Sequence, residues 1–325
     1  MSPSVFVLSS SDPRQLDTLQ QFAPEGIEIM WVDSTQPLDQ QAAQLQDAVA
    51  VIALPSAFSV ELARACPKLR LVQTVSAGTN RLDLLALGEL GIRVANNGGG
   101  NAVAVAEHTI TLMVSVYRKL HLQFQSVKAR QWAGDLRDTW FSQAYELTDK
   151  TVGIIGLGRI GQRVARRLQG WECQLIYHDV VSFPTELEHE LHLTKVPLDT
   201  LLRTSDIVTL HVPLNRYTKG MLSHREFDLM KPTAVLINAC RGPVVDEAAL
   251  IGALQEKKIL AAGLDVLEEE PTPADNPLLD MDNVLTTPHM AAFAQESFEK
   301  SRAFAVQNAA RVARGEEPES VVAPV

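Results

Sequence analysis

One stretch, Gly156-Leu157-Gly158-Arg159-Ile160-Gly161, limits the folds open to this chain more than any other. It follows a β-branched run at 151–155 and opens a helical segment at 163–168. Gly156 permits the tight turn, Gly158 lets a pyrophosphate approach the backbone, and Gly161 lets helix and strand close on one another. The first amides of the helix then face an anion. Eighteen residues past the last glycine, after a strand ending Ile176-Tyr177-His178, stands Asp179, a carboxylate suited to both hydroxyls of an adenosine ribose and repellent to a 2′-phosphate. Val180, Val181 and Ser182 bring no cation. Strand, spacing and acid together predict a dinucleotide site that takes NAD in preference to NADP.

The rest of the chain supplies the frame that such a turn requires. Short β-branched runs at 5–8, 27–32, 49–53, 69–75 and 92–94 alternate with helix-like stretches such as 12–22 and 59–65, the grammar of a parallel sheet with helices on both faces. Asn96-Asn97-Gly98-Gly99-Gly100 interrupts that pattern and reads as a flexible joint between domains. Beyond it, Asn101 is expected to cap one long helix running to about residue 122, followed by a loop with Trp140 and Tyr145. Strands are predicted at 151–155, 174–177, 207–210, 234–237, 259–264 and 284–286, enough for a doubly wound sheet. A last helix over 295–313, with an apolar stripe at Phe298, Ala303, Val306 and Ala310, has the length to return and cover the first domain. The fold class is therefore α/β with two doubly wound parallel-sheet domains, 1–100 completed by 293–325, and 101–292.

Composition removes several partners. Lys and Arg number 29 against 39 Asp and Glu, so the net charge of −10 offers no general attraction to nucleic acid or to anionic membranes. Cys66, Cys173 and Cys240 are odd in number and far apart, which suits neither a disulfide framework nor a metal knuckle and fits a reducing cytoplasm. The opening residues lack a basic n-region, and no apolar run approaches the roughly 20 residues a span needs, so neither secretion nor membrane insertion is expected.

Further motifs arrive in a definite order: Ser76-Ala77-Gly78, Val105-Ala106-Glu107-His108, the glycine turn, His211-Val212-Pro213-Leu214, Asn238-Ala239-Cys240-Arg241-Gly242, Leu264-Asp265-Val266 with Glu270-Pro271, and Pro288-His289. Over about residues 70–295 the chain resembles the NAD-dependent D-isomer-specific 2-hydroxyacid dehydrogenases. The resemblance implies a Rossmann nucleotide domain inserted in a flavodoxin-like substrate domain, with the site in the cleft. It also implies interconversion of a 2-oxo acid and a D-2-hydroxy acid by hydride transfer with NAD(H), with Arg241, Glu270 and His289 as the catalytic trio. Around the cofactor it would set Gly156, Gly158, Arg159, Ile160, Gly161, Asp179, Val212, Pro213, Ala239, Cys240, Arg241, Asp265, His289 and Ala291, with Asp265 on the nicotinamide carboxamide. Around the substrate it would set Ser76, Ala77, Gly78, Arg241 and His289.

These residue types suit the reaction. Reducing a 2-oxo acid calls for a cation at the carboxylate and carbonyl oxygen, a proton donor titrating near neutrality, and a group to orient that donor. Arg241, just past a strand, offers a planar fork; His289 offers the proton; Glu270 holds the imidazole in one tautomer and keeps it protonated; the amides of Ala77 and Gly78 add an anchor. Taken singly, an Arg after a strand is a solvated charge, a His before an apolar stretch is structural, Asp265 is a turn former and Ser76 to Gly78 is a glycine loop. Three such side chains at three strand ends of one sheet reverse that reading.

Other residues keep their plain readings. His189-Glu190-Leu191-His192 is one residue short of a zinc-protease helix and no metal is expected; Glu268 and Glu269 are solvated; His108 is a satisfied buried polar group; Cys240, without a partner base, packs. Trp140 and Tyr145 belong either to the core or to the contact of a homodimer. Met290-Ala291-Ala292 stands where many relatives carry a glycine pair, and the added methyls are expected to narrow the nicotinamide end without abolishing binding. No basic residue lies between Val51 and Val60 or between Val75 and Asn80, which favours small unphosphorylated acids. Two rival readings share the fold: a phosphite-oxidising dehydrogenase and a non-catalytic NAD-sensing corepressor. The complete trio and the lack of long docking extensions favour the enzyme.

Overall fold

In the computed structural model, residues 4–10, 15–53, 58–132 and 143–324 are described. The chain divides into two compact units, Met1–Asn101 with Phe293–Val325, and Ala102–Ala292.

The first unit is built on β1 (Ser4–Ser9), β2 (Glu28–Asp33), β3 (Ala50–Ala53), β4 (Leu71–Gln73) and β5 (Arg93–Ala95). All pair in parallel, in the order β2-β1-β3-β4-β5, the flavodoxin-like winding. Alternation along β1 explains the two cores: Phe6 and Leu8 pack with Leu45, Phe58 and Leu62 on one face, whereas Val5 and Val7 pack with Ala305, Val306, Ala309 and Ala310 on the other. The helix Gln295–Ala313 thus covers this sheet. Its buried stripe differs from the expected one: Phe298 is left partly exposed, edge-to-face with Phe293 and beneath the Arg302 guanidinium. Asn308 inside the stripe is satisfied by Gln73 Oε1 at 2.7 Å and by both backbone groups of Glu319.

The glycine triplet behaves as a packed turn. Gly98 and Gly99 have positive φ, and a Cβ on Gly98 would lie 2.6 Å from the Phe304 ring. Close approach to the last helix, with the required φ, explains these residues where the sequence suggested a loose joint.

The second unit carries β6 (Thr151–Ile155), β7 (Gln174–His178), β8 (Leu193–Lys195), β9 (Ile207–Leu210), β10 (Val235–Asn238), β11 (Ala261–Leu264) and β12 (Val284–Thr286). They are parallel in the order β12-β11-β10-β9-β6-β7-β8, so the winding reverses between β6 and β9. Ligands of open α/β sheets bind outside the carboxyl ends at such a reversal. One apolar face packs Ile155, Val208, Leu210 and Leu236 with Leu201, Phe227 and Leu250; the other packs Val152, Ile154 and Ile237 with Leu112, Met113, Val116 and Val164.

The long helix expected to run to residue 122 is two helices, Ala102–Tyr117 and Leu120–Lys128, separated by Lys119 at φ 51°. No glycine or proline marks that break. Tyr145 packs against the inner core beside Tyr117, ring centroids 5.6 Å apart; Trp140 lies outside the described residues. Among the described residues no helix is long and apolar enough to cross a membrane.

Candidate active site

The glycine turn leaves β6 at Gly156, whose φ of +93° is one that L side chains rarely adopt. A Cβ there would meet the His211 carbonyl oxygen at 2.6 Å and Val212 Cγ1 at 2.9 Å, and one on Gly161 would meet the Gly156 carbonyl oxygen at 2.1 Å. At Gly158 a Cβ would meet nothing within 4 Å, so the turn is closed behind and open in front. Gly158 caps the helix Arg159–Leu168 with no side-chain hydrogen bond, and the positive end of the helix dipole lies at this turn, where an anion is favoured. Asp179, just past β7, accepts from Leu157 N at 2.7 Å through Oδ2 and from Val181 N at 2.8 Å through Oδ1. Each oxygen keeps a lone pair for a ribose hydroxyl. The cradle, the open helix end and this acceptor fit a dinucleotide.

At the end of β10, Asn238 is buried and its Oδ1 accepts from Cys240 N while its Nδ2 donates to Arg241 O, fixing the turn that presents Arg241. Arg241 is half-buried and donates through Nη1 to Cys240 O at 2.5 Å. Gly242 follows because a Cβ would collide with Leu267 O at 1.8 Å; this close approach brings the segment carrying Glu270 alongside the Arg241 turn. Glu270 accepts from Leu267 N at 3.2 Å through Oε1 and from His289 Nδ1 at 2.7 Å through Oε2. A carboxylate only accepts here, so Nδ1 carries a proton.

His289 itself stands at φ 56°, a conformation costing a non-glycine residue about 1–3 kcal/mol. Asp265 holds it there. Fully buried, its carboxylate accepts from Thr287 Oγ1 (2.6 Å), Met290 N (2.8 Å) and Ala291 N (2.8 Å), while its carbonyl accepts from His289 N (2.8 Å). The turn-former reading is therefore correct as geometry. The Thr287 hydroxyl spends its proton on Asp265, so His108 Nε2, 3.0 Å away, must be the donor to it. His108 is satisfied, as expected, but as part of this network. Sequence reasoning missed Thr287 and the His108 contact because they come from the turn just past β12 and from the helix Ala102–Tyr117, 179 residues apart.

Val105, Ala239 and Ala291 form a small buried cluster flanked by Ile160 and Ala292. Val212 and Pro213 continue from β9, with Pro213 O accepting from Thr218 Oγ1 at 2.6 Å. In the first unit, the loop of Ser76, Ala77 and Gly78 spends its carbonyls internally. Ser76 O takes Asn97 N and Thr74 Oγ1, and Gly78 O takes Ser76 Oγ. His189 and His192 are exposed, and among the described residues no cluster of His, Cys, Asp and Glu could hold a metal.

A family profile described as "D-isomer specific 2-hydroxyacid dehydrogenase, NAD binding domain" matches residues 110–291. A glyoxylate reductase of Korarchaeum cryptofilum is 34% identical over 99% of this chain and 96% of its own length. A D-3-phosphoglycerate dehydrogenase of Archaeoglobus fulgidus is 38% identical over 76% of this chain, which spans only 46% of that longer relative. The solved structure of Rhodotorula graminis D-mandelate dehydrogenase superposes with a TM-score of 0.87 at 27% identity, covering 100% of this chain and 99% of the other. The chain belongs to the D-isomer specific 2-hydroxyacid dehydrogenases. It is an NAD-dependent oxidoreductase that interconverts 2-oxo acids and D-2-hydroxy acids.

His211 gives this half of the site a pH signature. Desolvation lowers its pKa to about 3, and Nδ1 is buried without a partner while Nε2 meets Thr209 Oγ1 at 3.0 Å. Below about pH 6.5 the unfolded chain takes up a proton at this residue that the folded chain refuses, so stability falls with pH down to the folded value, by up to roughly 1.4 kcal/mol per unit. Urea midpoints should therefore drop more steeply from about pH 6.5 to 5 in the native chain than in His211→Asn; parallel curves would overturn the assignment.

Proposed function

We propose that Arg241, Glu270 and His289 carry the reaction, and that the substrates are small unphosphorylated 2-oxo acids such as glyoxylate, hydroxypyruvate or pyruvate. The observation that carries this reading is the 2.7 Å pair of His289 Nδ1 and Glu270 Oε2, at the carboxyl edge of the sheet whose β10 delivers Arg241. NADH, when bound, supplies the hydride. His289 Nε2 delivers the proton to the substrate's carbonyl oxygen during reduction and takes it back during oxidation. Glu270 fixes the tautomer and stabilises the charged ring. Arg241 neutralises the substrate carboxylate and the charge growing on oxygen. The amides of Ala77 and Gly78, in the first unit, are proposed as substrate contacts, and Asp265 positions His289. The small-acid reading is supported by Val75 to Asn80, which carry no basic side chain, and by the name of the Korarchaeum relative; part of the second stretch, residues 54–57, lies outside the described residues.

Arg241→Ala should lower kcat/KM by about a hundredfold or more, the cost of removing one preorganised charge partner, with NADH binding by fluorescence changed by less than about threefold. Joint loss of binding and turnover would make Arg241 a structural residue. His289→Ala should abolish most turnover.

Asp179 should make NADH the better coenzyme, and Asp179→Ala should narrow the difference between NADH and NADPH by roughly tenfold or more. A native chain that favours NADPH would refute the role given to Asp179.

We further propose a homodimer. Phe124, Val127 and Trp132 expose 68%, 55% and 81% of their surface on and just after the helix Leu120–Lys128, more apolar area than an isolated helix face retains comfortably. Light scattering should give twice the 35.6 kDa chain mass, and Phe124→Asp with Val127→Asp should return it to one; a monomeric native chain would dismiss the proposal.

A further inference from the structure

The turn that follows Asp179 has a cation after all, supplied by a neighbouring strand. Lys195 ends β8, in register with Tyr177 of β7, two residues before Asp179. Its Nζ donates to Val181 O at 3.0 Å and to Ser182 Oγ at 3.3 Å. Val181 N is itself bonded to Asp179 Oδ1, so one peptide unit separates the ammonium's acceptor from the carboxylate's donor. The strand end is fixed independently, by Val196 N to Tyr177 O at 2.9 Å and Val196 O to His178 Nδ1 at 3.2 Å. Around this point the surface is open: Val180 and Val181 expose 95% and 56% of their area and Ser182 is exposed.

We propose that Lys195 determines coenzyme discrimination in this chain by receiving the 2′-phosphate of NADP(H), which makes NADP(H) a second, weaker coenzyme. This rests on the reading of Asp179 as the adenosine-ribose acceptor. A phosphate on the ribose 2′-oxygen meets the Asp179 carboxylate on one side and the ammonium on the other. Repulsion and attraction of similar range oppose one another there, where a turn with Asp179 alone would offer only repulsion. The ammonium is a compact donor on a flexible stem with three N–H bonds, so it can turn from Val181 O and Ser182 Oγ to the phosphate without moving the strand. With the phosphate absent, it returns to the turn, and NAD(H) is bound as if the lysine were neutral.

The test is a calorimetric titration of the full chain with ADP-ribose and with 2′-phospho-ADP-ribose, in the native protein and in Lys195→Gln, which keeps a donor for Val181 O but removes the charge. The native chain should bind both, the phosphorylated compound more weakly. Lys195→Gln should weaken the phosphorylated compound by a further factor of roughly ten, and leave ADP-ribose within about twofold. Lys195→Arg should behave like the native chain. In Asp179→Ser the phosphorylated compound should bind better than in the native chain, and the added Lys195→Gln change should cancel that gain. Equal weakening of both compounds, retention of the phosphorylated one by Lys195→Gln, or no binding of it to the native chain would each overturn the role of Lys195. Failure of ADP-ribose itself to bind would instead overturn the reading of Asp179.

Discussion

The geometry of the candidate site hangs on one buried carboxylate. Asp265 is buried, and a buried carboxylate is tolerable only when donors surround it. Here the donors are the Thr287 hydroxyl and the amides of Met290 and Ala291, on either side of His289. Satisfying Asp265 therefore bends the chain so that His289 takes a left-handed φ, and the strain at one residue is offset by three bonds to a charged acceptor. The imidazole position follows from that bend, and Glu270 then fixes which nitrogen holds the proton. An electrostatic demand inside the domain is thus converted into the orientation of the His289 ring at its edge.

Much of the fold was legible because parallel strands buried on both faces are written as unbroken apolar runs. β6, β9 and β12, together with the helix Gln295–Ala313, fall where the runs and the periodicity put them. The failures have local causes. β8 is three residues long with one buried side chain, an edge strand held by pairing to β7 more than by its own composition. The break at Lys119 carries no glycine, proline or asparagine, so an uninterrupted apolar pattern concealed it. Three consecutive glycines suggested freedom, whereas Gly98 is glycine because Phe304 occupies the space a side chain would need.

For the candidate site, sequence proposes residues whose types suit the chemistry and is silent on contacts made across the sheet. The glycine spacing and Asp179 follow from backbone geometry that any such turn must meet, so they could be read directly. Arg241, Glu270 and His289 were open to proposal as a set because each follows a strand of one sheet. The anchoring role of Asp265, the donor state of His108 and the reach of Lys195 were not. Each is a statement about which side chain meets which backbone group after β-strands distant in sequence have paired, and nothing in local composition encodes it.

The same contacts give Ala291 a defined place. Ala291 N is committed to Asp265 Oδ2, which fixes the direction of its Cβ, and the methyl falls into the cluster with Val105 and Ala239 rather than into open space. Val105 comes from the helix Ala102–Tyr117, Ala239 from the turn that carries Arg241, and Ala291 from the turn that carries His289. A methyl at that junction adds apolar contact among the segments that carry Val105, Arg241 and His289. Glycine at 291 would keep the hydrogen bond and lose that apolar contact.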